Sequence, residues 1–373
     1  MKSGKLIFAA SEACPDMLYA TGFRVPDPFA YMEKGRKRTM LLSDLEIDRA
    51  RTECPEIRAV AYSEIEKSIL KKRRRRPQPS RVIAEFLKSQ KTKAVHVPSG
   101  FPLGLAKALK KEGIKVSAVK DPFFSARRFK SDVEIRALTA AARIAEAGMA
   151  RAFEVLAAAS IRKDRKLSWN RRILTSEMLR RELEIAVLRA GGEARMNSIV
   201  ACGDQACDPH SRGSGPLKAG ELLILDIFPR DASTGYYGDI TRTVVRGQAT
   251  DAQRTLWELC LEGQRRALAA ISPGAKGSTV QEDVKNFFRA SHYPDEIHAG
   301  RWRGFFHGLG HGLGLEIHEE PRLSQTVFSP GEVLTVEPGL YWPGVGGVRH
   351  EDVVAITAKG CRLLTKHPKP LEI

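Results

Sequence analysis

The stretch Leu222-Leu-Ile-Leu-Asp226-Ile-Phe-Pro, followed by Arg230-Asp-Ala-Ser-Thr-Gly235 and then Tyr236-Tyr-Gly-Asp239-Ile-Thr-Arg-Thr-Val-Val, decides how this chain is read. Two apolar runs flank a polar turn that contains glycine, the pattern of an antiparallel hairpin. A turn centred between Ala232 and Ser233 sets Asp226 directly opposite Asp239. Opposed residues share one face of the ladder with Cβ atoms about 4.5–5.5 Å apart, where two like charges repel unless a cation lies between them.

The pattern recurs nearer the C-terminus. Val333-Leu-Thr-Val-Glu337-Pro-Gly-Leu-Tyr turns at Gly344 into Val348-Arg-His-Glu351-Asp-Val-Val-Ala, which sets Glu337 opposite Glu351. One acidic pair inside an apolar hairpin can arise by chance, but two such pairs ask for a common partner. Between the hairpins runs Phe306-His307-Gly-Leu-Gly-His311-Gly-Leu-Gly-Leu-Glu-Ile-His318-Glu-Glu-Pro. Its alternate glycines argue against a helix. In an extended chain His307 and His311 share a face, and the glycines admit close approach of another group. Gly308 stands where a His-Glu-x-x-His zinc helix needs its glutamate, which excludes that motif.

Four carboxylates (Asp226, Asp239, Glu337, Glu351) and the imidazole of His311 make a hard, oxygen-rich donor set. It is too acidic for one zinc and suits two divalent ions, manganese first, with cobalt or zinc as alternatives. Two ions held roughly 3.5–4 Å apart activate water and stabilise an oxyanion, so hydrolysis of an acyl bond is the expected chemistry.

Upstream, Ser131 has the chemistry of an N-cap with Glu134 three residues on, and apolar periodicity predicts a helix to about Ala159. A basic, less regular insert follows (Arg162 to Arg172), then a helix over Ser176 to Arg189 closed by Gly191-Gly192. Further helices are predicted over Asp251 to Ile271, ended by Pro273-Gly274, and over Val280 to Ala290. From Leu6 to about Val119 short apolar runs such as Thr39 to Leu42 and Ala94 to Val97 alternate with helix-like stretches, which predicts an α/β domain. The Pro122-containing segment from Asp121 to Asp132 reads as the junction. The expected organisation is therefore a smaller domain over 1–125 and a catalytic domain over 126–373, α+β overall.

Length and composition agree with an ordinary globular protein: 373 residues, 42% hydrophobic and 28% charged. No apolar run reaches the length of a membrane span, and the N-terminus offers only Leu6 to Ala10, so neither a membrane partner nor a secretory signal is expected. The six cysteines are dispersed, which fits reduced thiols and a cytoplasmic location. Cys202 and Cys207 lack a second ligand pair at zinc-finger spacing and read as plain thiols. The net charge of +17 favours anionic surroundings. Its densest part, Lys71-Lys-Arg-Arg-Arg-Arg76, carries no interleaved aromatic residue and precedes Pro77, so a solvated helix end is expected rather than a nucleic-acid groove.

These residues resemble the pita-bread metallopeptidases, the family that includes methionine aminopeptidase, Xaa-Pro aminopeptidase and prolidase, with all five ligand positions matched. The resemblance extends to Asp16-Met-Leu-Tyr-Ala-Thr-Gly-Phe and to Phe129-Lys-Ser-Asp-Val-Glu-Ile, which are similar to the members with a creatinase-like N-terminal domain. It implies a pita-bread catalytic domain with Asp226, Asp239, His311, Glu337 and Glu351 as ligands. Asp239 and Glu351 would bridge both metals, and Glu337 would also shuttle the proton. His210, His307 and His318 would orient the substrate and stabilise the tetrahedral intermediate, and Arg349 matches the proline-specific members.

The implied substrate is a peptide with proline in second position, cut by an Xaa-Pro aminopeptidase or, alternatively, by an Xaa-Pro dipeptidase (prolidase). A homo-oligomer, dimer or tetramer, is implied as well. A non-catalytic binding protein on the same fold is the reading of another class, and the complete ligand set counts against it. The step from Asp226 to Asp239 is two residues longer than the family's usual one, and Phe228 stands where glycine is usual. That spacing leaves the hairpin pairing intact and alters the turn.

Overall fold

The computed structural model describes residues 3–71, 75–193 and 196–373. Lys72, Arg73 and Arg74, the middle of the basic run, lie outside the described residues. The chain divides into two compact units, 1–127 and 128–373.

The first unit is a six-stranded mixed sheet in the order Arg58–Ala61, Lys37–Leu42, Phe29–Lys34, Gly4–Ala9, Ala94–Val97, Lys115–Ala118. The three central strands pair antiparallel as a meander, and the outer ones add in parallel through helical crossovers. Alternation along these strands feeds two cores. Leu6, Ala30, Met32 and Leu41 face the helix Pro79–Ser89, while Ile7, Tyr31, Met40 and Leu42 pack with Met17, Ile47 and Phe124 on the other face. A sheet covered on both faces explains why its strands read as short apolar runs rather than as alternating ones.

The second unit begins with the helix Asp132–Ala158, whose Ser131 and Glu134 form a complete capping box. It packs with the helix Ser176–Arg189 against an antiparallel sheet of Ile199–Cys202, Leu222–Ile227 and Ile240–Val245. Every residue of the last two strands is buried, since one face meets the helices and the other the interior of the unit. The insert predicted as irregular is instead a small three-stranded sheet (Ser160–Ile161, Leu167–Trp169, Arg172–Ile173). Leu167 supplies its buried apolar residue, a weak signal in so basic a stretch.

The remainder repeats the plan with different parts. Helices Asp251–Ala270 and Gly277–Ala290 pack against a five-stranded antiparallel sheet in the order Glu319–Arg322, His311–Gly312, Val333–Val336, Asp352–Thr357, Gly360–Leu363. The ribbon Gly339–Trp342 and Gly346–Arg349 extends it. The two sheets meet where Glu351 N donates to the carbonyl of Thr241 at 3.1 Å. Among the described residues no helix is long and apolar enough to cross a membrane. All six cysteines are free. Burial pushes the thiols of Cys202 and Cys207 up to about 12, so both stay protonated and are poor ligands.

Candidate active site

Each carboxylate of interest sits in or at the end of a strand. Asp226 belongs to Leu222–Ile227, Asp239 precedes Ile240–Val245, Glu337 follows Val333–Val336 and Glu351 precedes Asp352–Thr357. In the second hairpin the register is the one its glycine turn predicts, with Gly339 opposite Arg349 and Val336 opposite Asp352, which leaves Glu337 level with Glu351. In the first hairpin the expected pairing is corrected: Asp226 stands opposite Thr241, not Asp239. The cause is local. The Asp231 carboxylate accepts from the backbone of Ser233 at 2.7 Å and of Thr234 at 3.1 Å, and Asp231 N donates to the carbonyl of Tyr236 at 2.8 Å. This side-chain-nucleated turn moves the centre of the hairpin one residue on. A slip of two in register preserves the face, so Asp239 remains diagonal to Asp226 on the same side.

All nine residues singled out from the sequence, Asp226, Asp239, His311, Glu337, Glu351, His210, His307, His318 and Arg349, line one cavity of about 510 Å³. Ligand atoms of Asp239, His311 and Glu351 lie within 4.8 Å of one another. His311 Nε2 is 3.5 Å from Glu337 Oε1 and 3.8 Å from Asp239 Oδ2. The other ring nitrogen, Nδ1, lies 3.2 Å from the carbonyl of Gly312, which takes the ring proton and leaves the Nε2 lone pair facing the acids. Burial, with His318 beside it, lowers the His311 pKa to about 3, so the ring is neutral. The extended segment around the histidines is shorter than expected, only His311–Gly312 being strand, and His307 reaches the cavity from the loop before it.

The electrostatics are those of a cluster short of positive charge. Burial, then the neighbouring carboxylates, pushes Asp239 and Glu351 well above the ordinary carboxylate range. Burial likewise lifts Glu337 to about 7, against the lowering effect of Arg349. The Oδ2 of Asp226 accepts from Arg349 Nη2 at 2.6 Å. Its buried Oδ1 finds no hydrogen-bond donor among the described residues. An orphaned, buried carboxylate oxygen beside three crowded acids and a neutral imidazole lone pair is the donor set that hard divalent cations satisfy. The residues present therefore fit a metal.

Several contributors were not found from the sequence. Thr241 donates to Glu351 Oε2 at 2.7 Å, and Thr335 donates to Glu337 Oε1 while accepting from His311 N at 3.1 Å. Tyr341, fully buried, accepts from Arg349 Nη1 at 3.0 Å and has its hydroxyl 2.8 Å from His307 Nε2. Each lies at even spacing from a carboxylate on the same strand or its continuation, a signal that strand parity supplies. On the far side, buried Arg242 donates to the carbonyls of Thr241 at 2.9 Å and Glu351 at 2.6 Å and pairs with Asp352 at 2.8 Å. That fork fastens one hairpin to the other.

Residues 136–358 match the model of metallopeptidase family M24, and the chain belongs to that family. It is thus a metallopeptidase, in which divalent cations belong to the chemistry and the pita-bread fold follows a separate N-terminal unit. The Xaa-Pro dipeptidase of Pyrococcus horikoshii is 32% identical over 295 residues, 77% of this chain and 77% of that protein. The prolidase structure from Pyrococcus furiosus matches 98% of this chain and 97% of that one with a TM-score of 0.77 and 26% identity. The X-Pro aminopeptidase structure from Thermotoga maritima, at 24% identity and a TM-score of 0.81 over 100% of this chain and 97% of its own, shows the likeness of fold alone.

Proposed function

We propose that the chain hydrolyses the peptide bond between an N-terminal residue and proline. Two divalent ions, manganese by preference, are held by Asp226, Asp239, His311, Glu337 and Glu351. The observation that carries this reading is the gathering of these five side chains on one cavity, with Asp226 Oδ1 left without a donor. When bound, the ions supply Lewis acidity and an activated water. The remaining work falls to the chain. Glu337, lifted to about 7, is the carboxylate suited to accept and return a proton near neutrality. His307, whose pKa burial lowers to about 3, acts as a neutral group fixed by Tyr341. His210 and His318, exposed at the mouth, meet the substrate and steady the developing oxyanion, and Arg349 holds Asp226 in its orientation.

Dipeptides are the first substrates to test, because the Pyrococcus horikoshii relative carries the name Xaa-Pro dipeptidase. The second reading is an aminopeptidase acting on longer Xaa-Pro peptides. Location in the cytoplasm and assembly into dimers or tetramers are part of the same proposal. The test is to strip the purified protein of metal, restore manganese and follow release of the N-terminal residue from Xaa-Pro dipeptides and Xaa-Pro-containing longer peptides. Manganese-dependent release from either is expected, and none from both defeats the proposal.

A further inference from the structure

His318 is exposed, and its ring rests edge-on against His311 with centroids 4.3 Å apart. So little cover does not fix a ring, and its direction depends on the chain that follows it. The next residue, Glu319, is anchored firmly. Its carboxylate takes a hydrogen bond from Lys130 Nζ at 2.7 Å, and the two side chains are 7% and 1% exposed. The other oxygen of that carboxylate accepts from the backbone of Glu316 at 3.3 Å. The carboxylate also fills the space beside Gly314, where a Cβ would come within 2.2 Å of it. The turn from 314 to 319 is thus folded around one carboxylate. Lys130 is itself held, its backbone N donating to the carbonyl of Gly331 at 2.7 Å.

We propose that Lys130, acting through Glu319, is a positioning residue that aims His318 at the substrate. Removing the cation of a buried ion pair strongly destabilises the carboxylate in its place. Remove the ammonium, and Glu319 gains by turning to water, which releases the amide of Glu316 and loosens the turn that carries His318. The inference rests on the reading that His318 meets the substrate, and it adds a residue far away in sequence to that role.

The experiment compares Lys130→Met, Lys130→Arg, Glu319→Gln, His318→Ala and the double variant Lys130→Met/His318→Ala in the manganese-loaded full chain. Lys130→Met is expected to lower kcat/KM for an Xaa-Pro substrate about tenfold, and the double variant to be no worse than His318→Ala alone. Lys130→Arg restores most of the loss. Amide hydrogen exchange across 312–319 rises in Lys130→Met, while bound manganese per chain is unchanged. Additive losses, or exchange in that segment equal to wild type, overturn the inference. Should Lys130→Met not fold, Glu319→Gln, which keeps size and removes the charge, carries the same comparison. A wild-type chain inactive on every Xaa-Pro substrate defeats the proposed function, and the exchange comparison still decides whether Lys130 holds the turn.

Discussion

The two hairpins of the catalytic unit carry the same pair of acids but reach that arrangement by different means. In the first, a side-chain-nucleated turn at Asp231 sets Asp226 across from Thr241 and diagonal to Asp239. In the second, a glycine turn with Gly344 at φ +89 leaves Glu337 level with Glu351. The halves are tied reciprocally, since Arg349 of the second pairs with Asp226 of the first, and Arg242 of the first pairs with Asp352 of the second. The resemblance ends at what each arginine faces. Arg349 lines the cavity, whereas Arg242 turns to the carbonyls behind it. On the proposed function, one ion pair belongs to the chemistry and the other to the scaffold that brings the halves together.

The sharpest way to break that division is to neutralise each arginine. Arg242→Met leaves the buried Asp352 carboxylate with Lys369 as its remaining cation among the described residues and Thr365 as a neutral donor, and strips donors from the carbonyls of Thr241, Glu351, His367 and Pro368, so a loss of about 3–5 kcal/mol in unfolding free energy is expected by denaturant titration. Arg349→Met is expected to cost about 10–100-fold in kcat/KM with a smaller fall in melting temperature, because its proposed role is to hold the ligand Asp226 in place. Equal melting losses in the two variants would show that both pairs are scaffold. The turns come next. Asp231→Ala removes a carboxylate that accepts two backbone amides and should cost about 1–2 kcal/mol by the same titration, with a modest loss of manganese affinity as the first hairpin loosens. Gly344→Ala puts a side chain at positive φ with open space around it, so about 1 kcal/mol is expected, and bound manganese should not change.

The carboxylates were legible because strand periodicity is local. Side chains two apart share a face whatever the turn does, so a misjudged turn at Ala232-Ser233 still left Asp226 and Asp239 on one side. The helix Ser176–Arg189 and the capping box at Ser131 were legible for the same reason, their signals lying within a turn or two of chain. The small sheet from Ser160 to Ile173 was not, because its strands are two or three residues long and owe their pairing to neighbours rather than to pattern.

By itself, then, the sequence determined which residues could share a face, roughly where the long helices of the catalytic unit lie, and which two acidic pairs and histidine offer a donor set that a divalent cation would suit. The fold alone decided that Thr241 rather than Asp239 opposes Asp226, that Tyr341 joins Arg349 to His307, and that Lys130 reaches Glu319. These contacts join residues from separate elements, or depend on how a turn closes. Their partners are chosen by packing and by the need to satisfy buried charge, and no spacing along the chain encodes that choice.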